Sequence, residues 1–489
     1  MKHRIQHFIE FTRQQVAQKA GRLLYRKEFH ATPEGTNHDL NPEEKRLFSD
    51  QLKAYQHNRP LGPKESICFA PTRSLYFGFG GKVVPCCFNR EFEYGRWPEM
   101  SVDEIIRSSR RQELQKELDN RNFDNGCQHC RRQIISGNFS GVEAMLYDKF
   151  KSNPPAPSEM IFELDNTCNL ACVMCDETFS SRIAKDKHLQ QENAVYDERF
   201  AKQLEPWLPH LKIAKFLGGE PFLVPLHYSI WEKILAINPN CIINLQTNGT
   251  VYNDKIEELL HRGRFQIGVS IDSLQKDRFE SIRRGADFDV VMENLNKFIT
   301  AGRKSGHYIN ISVCPMQQNR FEIPDLVEFC NQKQVFVYFN TVYTEGFDLR
   351  ELSSTDLKET AELYDKKLSL LPGNTVLQRR NRSFFASLLS QIKSWQVDKE
   401  REDQVKKRSQ QIDRDEFYLL LASKLNSHSL KQRLYLHCIQ LPEDIMLSPN
   451  QLKTLENISP EDITAGLENN TDEKLSMMIQ HFILHQEIP

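Results

Sequence analysis

This sequence predicts an α/β fold built on a parallel sheet, and three observations carry the prediction. Six short apolar runs, "MIFELDN", "IAKFLGG", "CIINLQTNG", "FQIGVSIDS", "YINISVCPM" and "VFVYFNTV", follow one another between residues 160 and 342. The stretches between them are amphipathic and of helix length, so each strand reaches the next through a crossover helix, the connection that parallel strands require. Third, the runs are not the continuous Val, Ile and Leu of strands buried on both faces. Their polar residues fall in period two: Asn244, Gln246 and Asn248; Ser270 and Asp272; Asn310 and Ser312; and Asn340 at the last strand. That spacing puts each set on one face of its strand. Facing inward, the sets make a polar lumen that a polar ligand satisfies; the alternative is an open, solvated face. A partial barrel and an open doubly wound sheet both fit.

At 489 residues with 39% apolar content, the chain is long enough for several domains around at least one large core. Its 64 Lys+Arg against 66 Asp+Glu give a formal charge of -2, which offers phosphate backbones no general attraction, so no nucleic-acid partner is expected. The apolar runs are strand-sized, well short of the roughly 20 residues of a spanning helix, and no membrane partner is expected. The start of the chain is basic and amphipathic but lacks the apolar core and cleavage site of a secretory signal, so the expected location is cytoplasmic. There, clustered cysteines mean metal or catalysis more often than disulfides. Composition shifts divide the chain into a helical N-terminal region (1–63), a compact segment (64–150), the strand-and-helix core (158–345) and a helical, charged C-terminal region (346–489). "KSNPPAP" at 151–157 has the composition of a linker.

The first strand of the core runs into "DNTCNLACVMCD", which places Cys168, Cys172 and Cys175 within eight residues and supplies no fourth thiol nearby. A structural zinc site takes four protein ligands in closely spaced pairs. Iron–sulfur clusters take thiolates from such runs, and three thiolates on a four-iron cube leave one iron open to a small molecule.

The Cys168-x3-Cys172-x2-Cys175 spacing after a first strand resembles the signature of the radical S-adenosylmethionine (SAM) enzymes, and three further motifs follow in that family's order. These are "GGEP" (Gly218, Gly219, Glu220, Pro221), "TNG" (Thr247, Asn248, Gly249) and "SIDS" (Ser270 to Ser273), each at a strand end. The resemblance covers about 158 to 345. It implies a partial (β/α)6 barrel, a [4Fe–4S] cluster on Cys168, Cys172 and Cys175, and SAM chelated at the open iron. It further implies that "GGEP" receives the methionine amino group, that Asn248, Ser270 and Asp272 line the SAM site, and that Asn310 lines it by its inward strand phase. The family has an aromatic residue before the third cysteine; here Met174 stands there, with a polarizable sulfur to lay against adenine. The implied chemistry belongs to the cofactor: a reduced cluster splits SAM, and the 5'-deoxyadenosyl radical abstracts a substrate hydrogen. A reductant such as flavodoxin or ferredoxin is the implied partner.

Four other cysteines have informative spacing: Cys68, Cys86, Cys127 and Cys130. From spacing alone a zinc ribbon stands open. "CFAPTRSLYFGFGGKVVPC" with a later "CxxC" is similar to the SPASM/twitch auxiliary domain of radical SAM maturases, which implies a second [4Fe–4S] cluster. The module usually follows the barrel and here precedes it, and adjacent Cys87 leaves the second ligand ambiguous. Cys241, Cys330 and Cys438 read as buried hydrophobes, whereas Cys314 is in phase with Asn310 and Ser312 and is a candidate hydrogen donor. The expected activity is radical modification of a peptide or protein. Radical chemistry on a sugar or small metabolite is the alternative among enzymes, and a catalytically silent iron–sulfur or zinc scaffold the alternative outside them.

Overall fold

The computed structural model describes residues 42–135, 137–150, 155–189, 194–408 and 410–484. Most of the expected N-terminal helical region lies outside these residues; within them, Pro42–Asn58 is a helix. The main strands are β1 (Ser74–Phe77), β2 (Lys82–Val84), β3 (Gly95–Arg96), β4 (Glu159–Phe162), β6 (Ile213–Phe216), β7 (Ile242–Thr247), β8 (Arg264–Ser270), β10 (Tyr308–Val313) and β11 (Phe336–Phe339). They form one sheet in the order β11-β10-β8-β7-β6-β4-β1-β2-β3, open at both ends among the described residues. Two residue pairs, β5 (Ala171–Cys172) and β9 (Arg283–Arg284), bridge above it. The six predicted strands are β4, β6, β7, β8, β10 and β11, each parallel to its neighbour. This is the mixed α/β, partial-barrel architecture expected.

The register shows why the strands carry both apolar and polar residues. Lys215 lies opposite Asn244, Asn244 opposite Gln266, Gly268 opposite Asn310 and Ser270 opposite Ser312, so these side chains share one face. On the other face Phe162, Phe216, Ile243, Leu245, Ile267, Val269, Ile311 and Val313 are buried. There the crossover helices pack, for example Pro225–Ile237, whose Trp231 meets Phe216 edge-on at 5.4 Å. Each such large apolar side chain contributes about 1.5–3 kcal/mol on burial. Local signals place the helices. Asn253 caps Asp254–Arg262 through the Ile256 N–H, and Asp287 caps Phe288–Ser305, which ends at left-handed Gly306.

The segment 64–150 shares this sheet. β1 pairs in parallel with β4, Ser74 opposite Glu159 through Phe77 opposite Phe162, and β2 and β3 follow antiparallel. Phe77 stacks on Phe162 at 5.5 Å. The stretch "SVDEIIRSSRRQELQKEL" forms two helices, Val102–Ile106 and Ser109–Asp119, because Ser108 accepts from the Arg110 N–H and caps a second start.

Contacts divide the chain into two units, Met1–Leu352 with Thr360–Ser390, and Ser353–Glu359 with Gln391–Pro489. The second unit has its own core, including Phe417, Leu421, Leu434, Leu447 and Leu467. It is not wholly helical: β12 (Gln410–Asp413) pairs antiparallel with β13 (Asp444–Leu447). This corrects the expectation of a helical C-terminal region (346–489) at one place: Val376–Arg408 is helix, but Ile412 lies in the core and Gln410–Asp413 is a strand. Among the described residues no helix is long and apolar enough to cross a membrane.

Candidate functional site

Parallel strands deliver all their carboxyl ends to one edge, where open α/β sheets place ligand sites. The three-cysteine loop leaves β4 at that edge and is tied down by its own hydrogen bonds. Asp165 accepts from the Thr167 N–H at 2.7 Å, the Cys168 N–H donates to Ser181 Oγ at 3.0 Å, and the Val173 N–H donates to the Ile282 carbonyl at 2.9 Å. The "GGEP" loop lies directly on it. Gly218 and Gly219 have φ of 79° and 50°, and a Cβ at Gly219 would stand 2.3 Å from the Thr167 carbonyl, so only glycine fits there.

Glu220 is wholly buried and fully employed. One carboxylate oxygen accepts from Thr247 Oγ1 at 2.7 Å and the Phe222 N–H at 3.2 Å, the other from the Asn248 N–H at 2.7 Å. Its carboxylate therefore joins the "GGEP" and "TNG" loops. Burial pushes its pKa up to about 7 against these donors. Pro221 starts a short 3-10 turn behind it. The Asn248 amide donates to Asn169 Oδ1 at 2.9 Å and stands 3.9 Å from Cys168 Sγ.

At the far side of the thiols is a buried charge pair that the sequence did not signal. Arg283 faces Cys172 across the β5–β9 bridge; its Nη1 is 3.9 Å from Cys172 Sγ and its Nη2 2.8 Å from Asp272 Oδ2. The other Asp272 oxygen accepts from the Cys314 N–H at 2.7 Å. Burial pushes the Asp272 carboxyl up while Arg283 pulls it back. Arg283 is ten residues past "SIDS" in an unremarkable "SIRRG", and only the fold brings it to Cys172. Met174 and Cys314 pack against the same apolar wall, Ile282, Met316 and Val342. Ser270 accepts from Gln246 Nε2 at 3.1 Å. Asn310 lies deeper in the lumen, donating to Ser312 Oγ at 3.1 Å, and is not among the groups around the thiols.

A cavity of about 450 Å³, counted out to its opening, is lined by Cys68, Cys86, Cys127 and Cys130 together with Phe88 and Tyr147. Cys87 is not among its lining residues; it packs instead with Tyr76, Val84 and Ile161. Backbone and side-chain N–H groups already point at these sulfurs: Ala70 N to Cys68 at 3.3 Å, Asn89 N to Cys86 at 3.4 Å and Asn89 Nδ2 to Cys127 at 3.3 Å. Asn89 was not foreseen. Nearby, Arg90 reaches Glu163 at the end of β4 at 2.8 Å and Tyr76 Oη at 2.6 Å, and so ties the auxiliary loop to the barrel mouth.

All twelve cysteines are free thiols. Burial pushes Cys175, Cys86, Cys127 and Cys130 up to about 12, so loading a metal there displaces protons. Among the described residues no three His, Cys, Asp or Glu side chains converge as ligands of a single ion would. A four-iron cube makes a different demand, because each thiolate binds its own iron around a shared centre. Soft sulfur donors, N–H groups aimed at them and an apolar cavity fit such a cluster.

Comparison with known proteins follows the same division. Residues 163–330 match the Radical SAM superfamily and residues 68–131 match SPASM, an iron–sulfur cluster-binding domain, which here precedes the barrel. GTP 3',8-cyclase of Clostridium botulinum is 30% identical over 210 residues, 42% of this chain and 63% of the relative. The Clostridium perfringens enzyme of the same name is 27% identical over 214 residues, 42% of this chain and 62% of its own. The chain thus spans less than two thirds of the length of these curated relatives. Among solved structures, anSMEcpe with bound AdoMet is 19% identical over 42% of this chain and 60% of its own, with a TM-score of 0.33. Streptococcus suis SuiB bound to S-adenosylmethionine is 16% identical over 51% and 62%, with a TM-score of 0.35.

Proposed function

From a chain that carries a Radical SAM superfamily domain behind an iron–sulfur cluster-binding SPASM domain, we propose a cytoplasmic radical SAM enzyme that modifies a peptide or protein. Cys168, Cys172 and Cys175 hold the SAM-site [4Fe–4S] cluster; Cys68, Cys86, Cys127 and Cys130 hold the auxiliary one. When bound, the reduced cluster supplies one electron that cleaves SAM to methionine and a 5'-deoxyadenosyl radical, which takes a hydrogen atom from the substrate. The remaining work belongs to the chain. Gly218 and Gly219 let the backbone approach the methionine end, Glu220 fixes that loop to Asn248, and Ser270 with Asp272 border the ribose and carboxylate region. A flavodoxin or ferredoxin supplies the electron.

One observation carries the substrate class. The lumen below these residues presents Asn244, Gln246, Gln266, Asn310 and Ser312 on one face, groups that hydrogen-bond an extended backbone. The cations beside them are already neutralised: Lys215 stands 3.0 Å from Glu159, Arg90 2.8 Å from Glu163 and Arg283 2.8 Å from Asp272. A triphosphate entering this site would bring uncompensated anions into a part-buried space, which is costly, whereas a neutral amide chain would not.

Anaerobically reconstituted protein is expected to hold about eight irons, with about four after Cys168, Cys172 and Cys175 are replaced by Ala. With dithionite and SAM it should release 5'-deoxyadenosine, and Cys172→Ala should not. Peptides encoded beside the gene should stimulate release and lose two hydrogens or take up solvent deuterium by mass spectrometry. Stimulation by GTP, a sugar nucleotide or another small metabolite, with neighbouring peptides unmodified, would overturn the peptide reading in favour of the metabolite alternative. No 5'-deoxyadenosine under any condition would favour a silent scaffold.

A further inference from the structure

We propose that the Tyr94 hydroxyl is a hydrogen-bond donor to sulfur of the auxiliary cluster, and that buried Arg111 behind it supplies the positive charge that holds the cluster's potential up. The inference rests on the reading of Cys68, Cys86, Cys127 and Cys130 as a cluster site.

Tyr94 belongs to the hairpin that carries one of those thiols. β2 ends two residues before Cys86, β3 follows directly on Tyr94, and the Tyr94 N–H donates to the Val83 carbonyl at 2.8 Å. The turn between them is pinned by Asn89, which accepts from the Phe92 N–H at 3.1 Å and reaches Cys127 Sγ at 3.3 Å. Tyr94 is 1% exposed, and its Oη finds no partner among the described residues. A hydroxyl so buried is ordinarily hydrogen-bonded, and leaving the bond unmade is costly. Tyr55, packed with Cys68, Cys127 and Cys130, shows the ordinary case: its hydroxyl donates to the Ile67 carbonyl at 3.2 Å. Burial pushes the Tyr94 hydroxyl well above a tyrosine's usual range, Arg111 pulls it back, and Cys86, Cys127 and Cys68 push it up again. The unused donor thus sits between a cation and sulfurs of the auxiliary site.

Arg111 is a separate observation that points to the same anion. On the helix Ser109–Asp119 it shares a face with Leu114 and Leu118, which both line the thiol cavity. Its Nε donates to the carbonyl of Pro71, another lining residue, at 2.8 Å, and its remaining bonds go to the Thr72, Ile106 and Pro155 carbonyls. Arg111 is 4% exposed, and among the described residues no carboxylate pairs with it, whereas buried Arg59 is paired with Asp148. A cation held by carbonyls alone keeps its charge uncompensated, which burial makes costly. Four thiolates around an iron–sulfur cube are anionic and compensate it. A cation and a donor beside them favour the reduced form, because the potential follows net charge and hydrogen bonds to sulfur.

The test uses the full chain with Cys168, Cys172 and Cys175 replaced by Ala, reconstituted anaerobically so that iron remains at the auxiliary site alone. It reads the midpoint potential by redox titration followed with electron paramagnetic resonance, and the Fe–S stretching bands by resonance Raman. Tyr94→Phe keeps the ring and removes the donor, so the midpoint should fall and the bands shift while iron stays at about four per chain. Arg111→Gln should also lower the midpoint, and Arg111→Lys, which keeps the charge but cannot span the four carbonyls, should stay nearer the parent chain. A purely structural role would lower Tm in both Arg111 variants and move neither midpoint. Equal midpoints and bands in Tyr94→Phe and its parent would overturn the hydrogen bond, and equal midpoints in Arg111→Gln and Arg111→Lys would overturn the role of the charge. If the parent chain held no iron, or held zinc, it is the cluster reading itself that would fail.

Discussion

Asn89 offers the sharpest quantitative test of the auxiliary site, because one atom of its side chain faces a thiol and the other faces backbone donors. Nδ2 donates to Cys127 Sγ at 3.3 Å and to the Asn125 carbonyl at 2.7 Å, while Oδ1 accepts from the Glu91 and Phe92 N–H groups. The residue is 2% exposed. Asn89→Asp keeps shape and the Oδ1 contacts but sets a carboxylate oxygen 3.3 Å from the sulfur. Against a metal-bound thiolate at that distance the repulsion is about 5 kcal/mol at an effective dielectric of 20. The carboxyl escapes it by holding a proton, and 5 kcal/mol corresponds to roughly 3.7 units, which lifts an ordinary pKa near 3.9 to about 7 to 8. The sign follows: below that range the neutral acid donates to sulfur and the cluster stays, and above it the charged form expels the cluster. Iron per chain in Asn89→Asp should fall from about eight at pH 6 toward about four at pH 9, while wild type stays level and Asn89→Ala, which lacks the charge, shows no such slope. A flat iron content in Asn89→Asp across this range would refute the placement of a thiolate ligand at Cys127.

Glu220→Gln removes the titration of a carboxyl whose pKa is raised to about 7. Because the folded state binds that proton more tightly, wild-type stability is lost as pH rises from about 4.5 to about 7, by about 3 kcal/mol. The variant should therefore gain on wild type across that window in thermal unfolding, and a constant difference would count against the burial argument. Arg283→Leu strands Asp272 in the interior, a loss of about 3–5 kcal/mol, and should lower Tm more than Arg283→Lys, which keeps a charge but cannot span both Cys172 and Asp272. Asn381 donates to the Val335 carbonyl and accepts from the Val337 N–H, both at 3.0 Å, on the outer side of β11. Asn381→Ala leaves those groups unpaired at about 1–3 kcal/mol each and uncaps a sheet edge, so light scattering on heating should begin at a lower temperature than in wild type.

Sequence alone determined everything that depends on local periodicity or on spacing within one loop. The six parallel strands and their polar face were legible because side chains alternate across a strand regardless of what the strand packs on. The three-cysteine loop and the "GGEP" glycines were legible because a tight loop keeps its own residues together. What the tertiary structure decided involves partners far apart in the chain. Cys86 and Cys87 are neighbours that point into different surroundings, and only the packing of Tyr76, Val84 and Ile161 around one of them separates them. Arg283 acquires its role from a bridge to Cys172, 111 residues earlier. The segment before the linker composition joins the barrel's sheet because Ser74–Phe77 matches the first barrel strand residue for residue, a pairing no local pattern encodes. Gln410–Asp413 becomes a strand although its neighbours are charged and helical, because burial of Ile412 beside Ile445 outweighs local propensity.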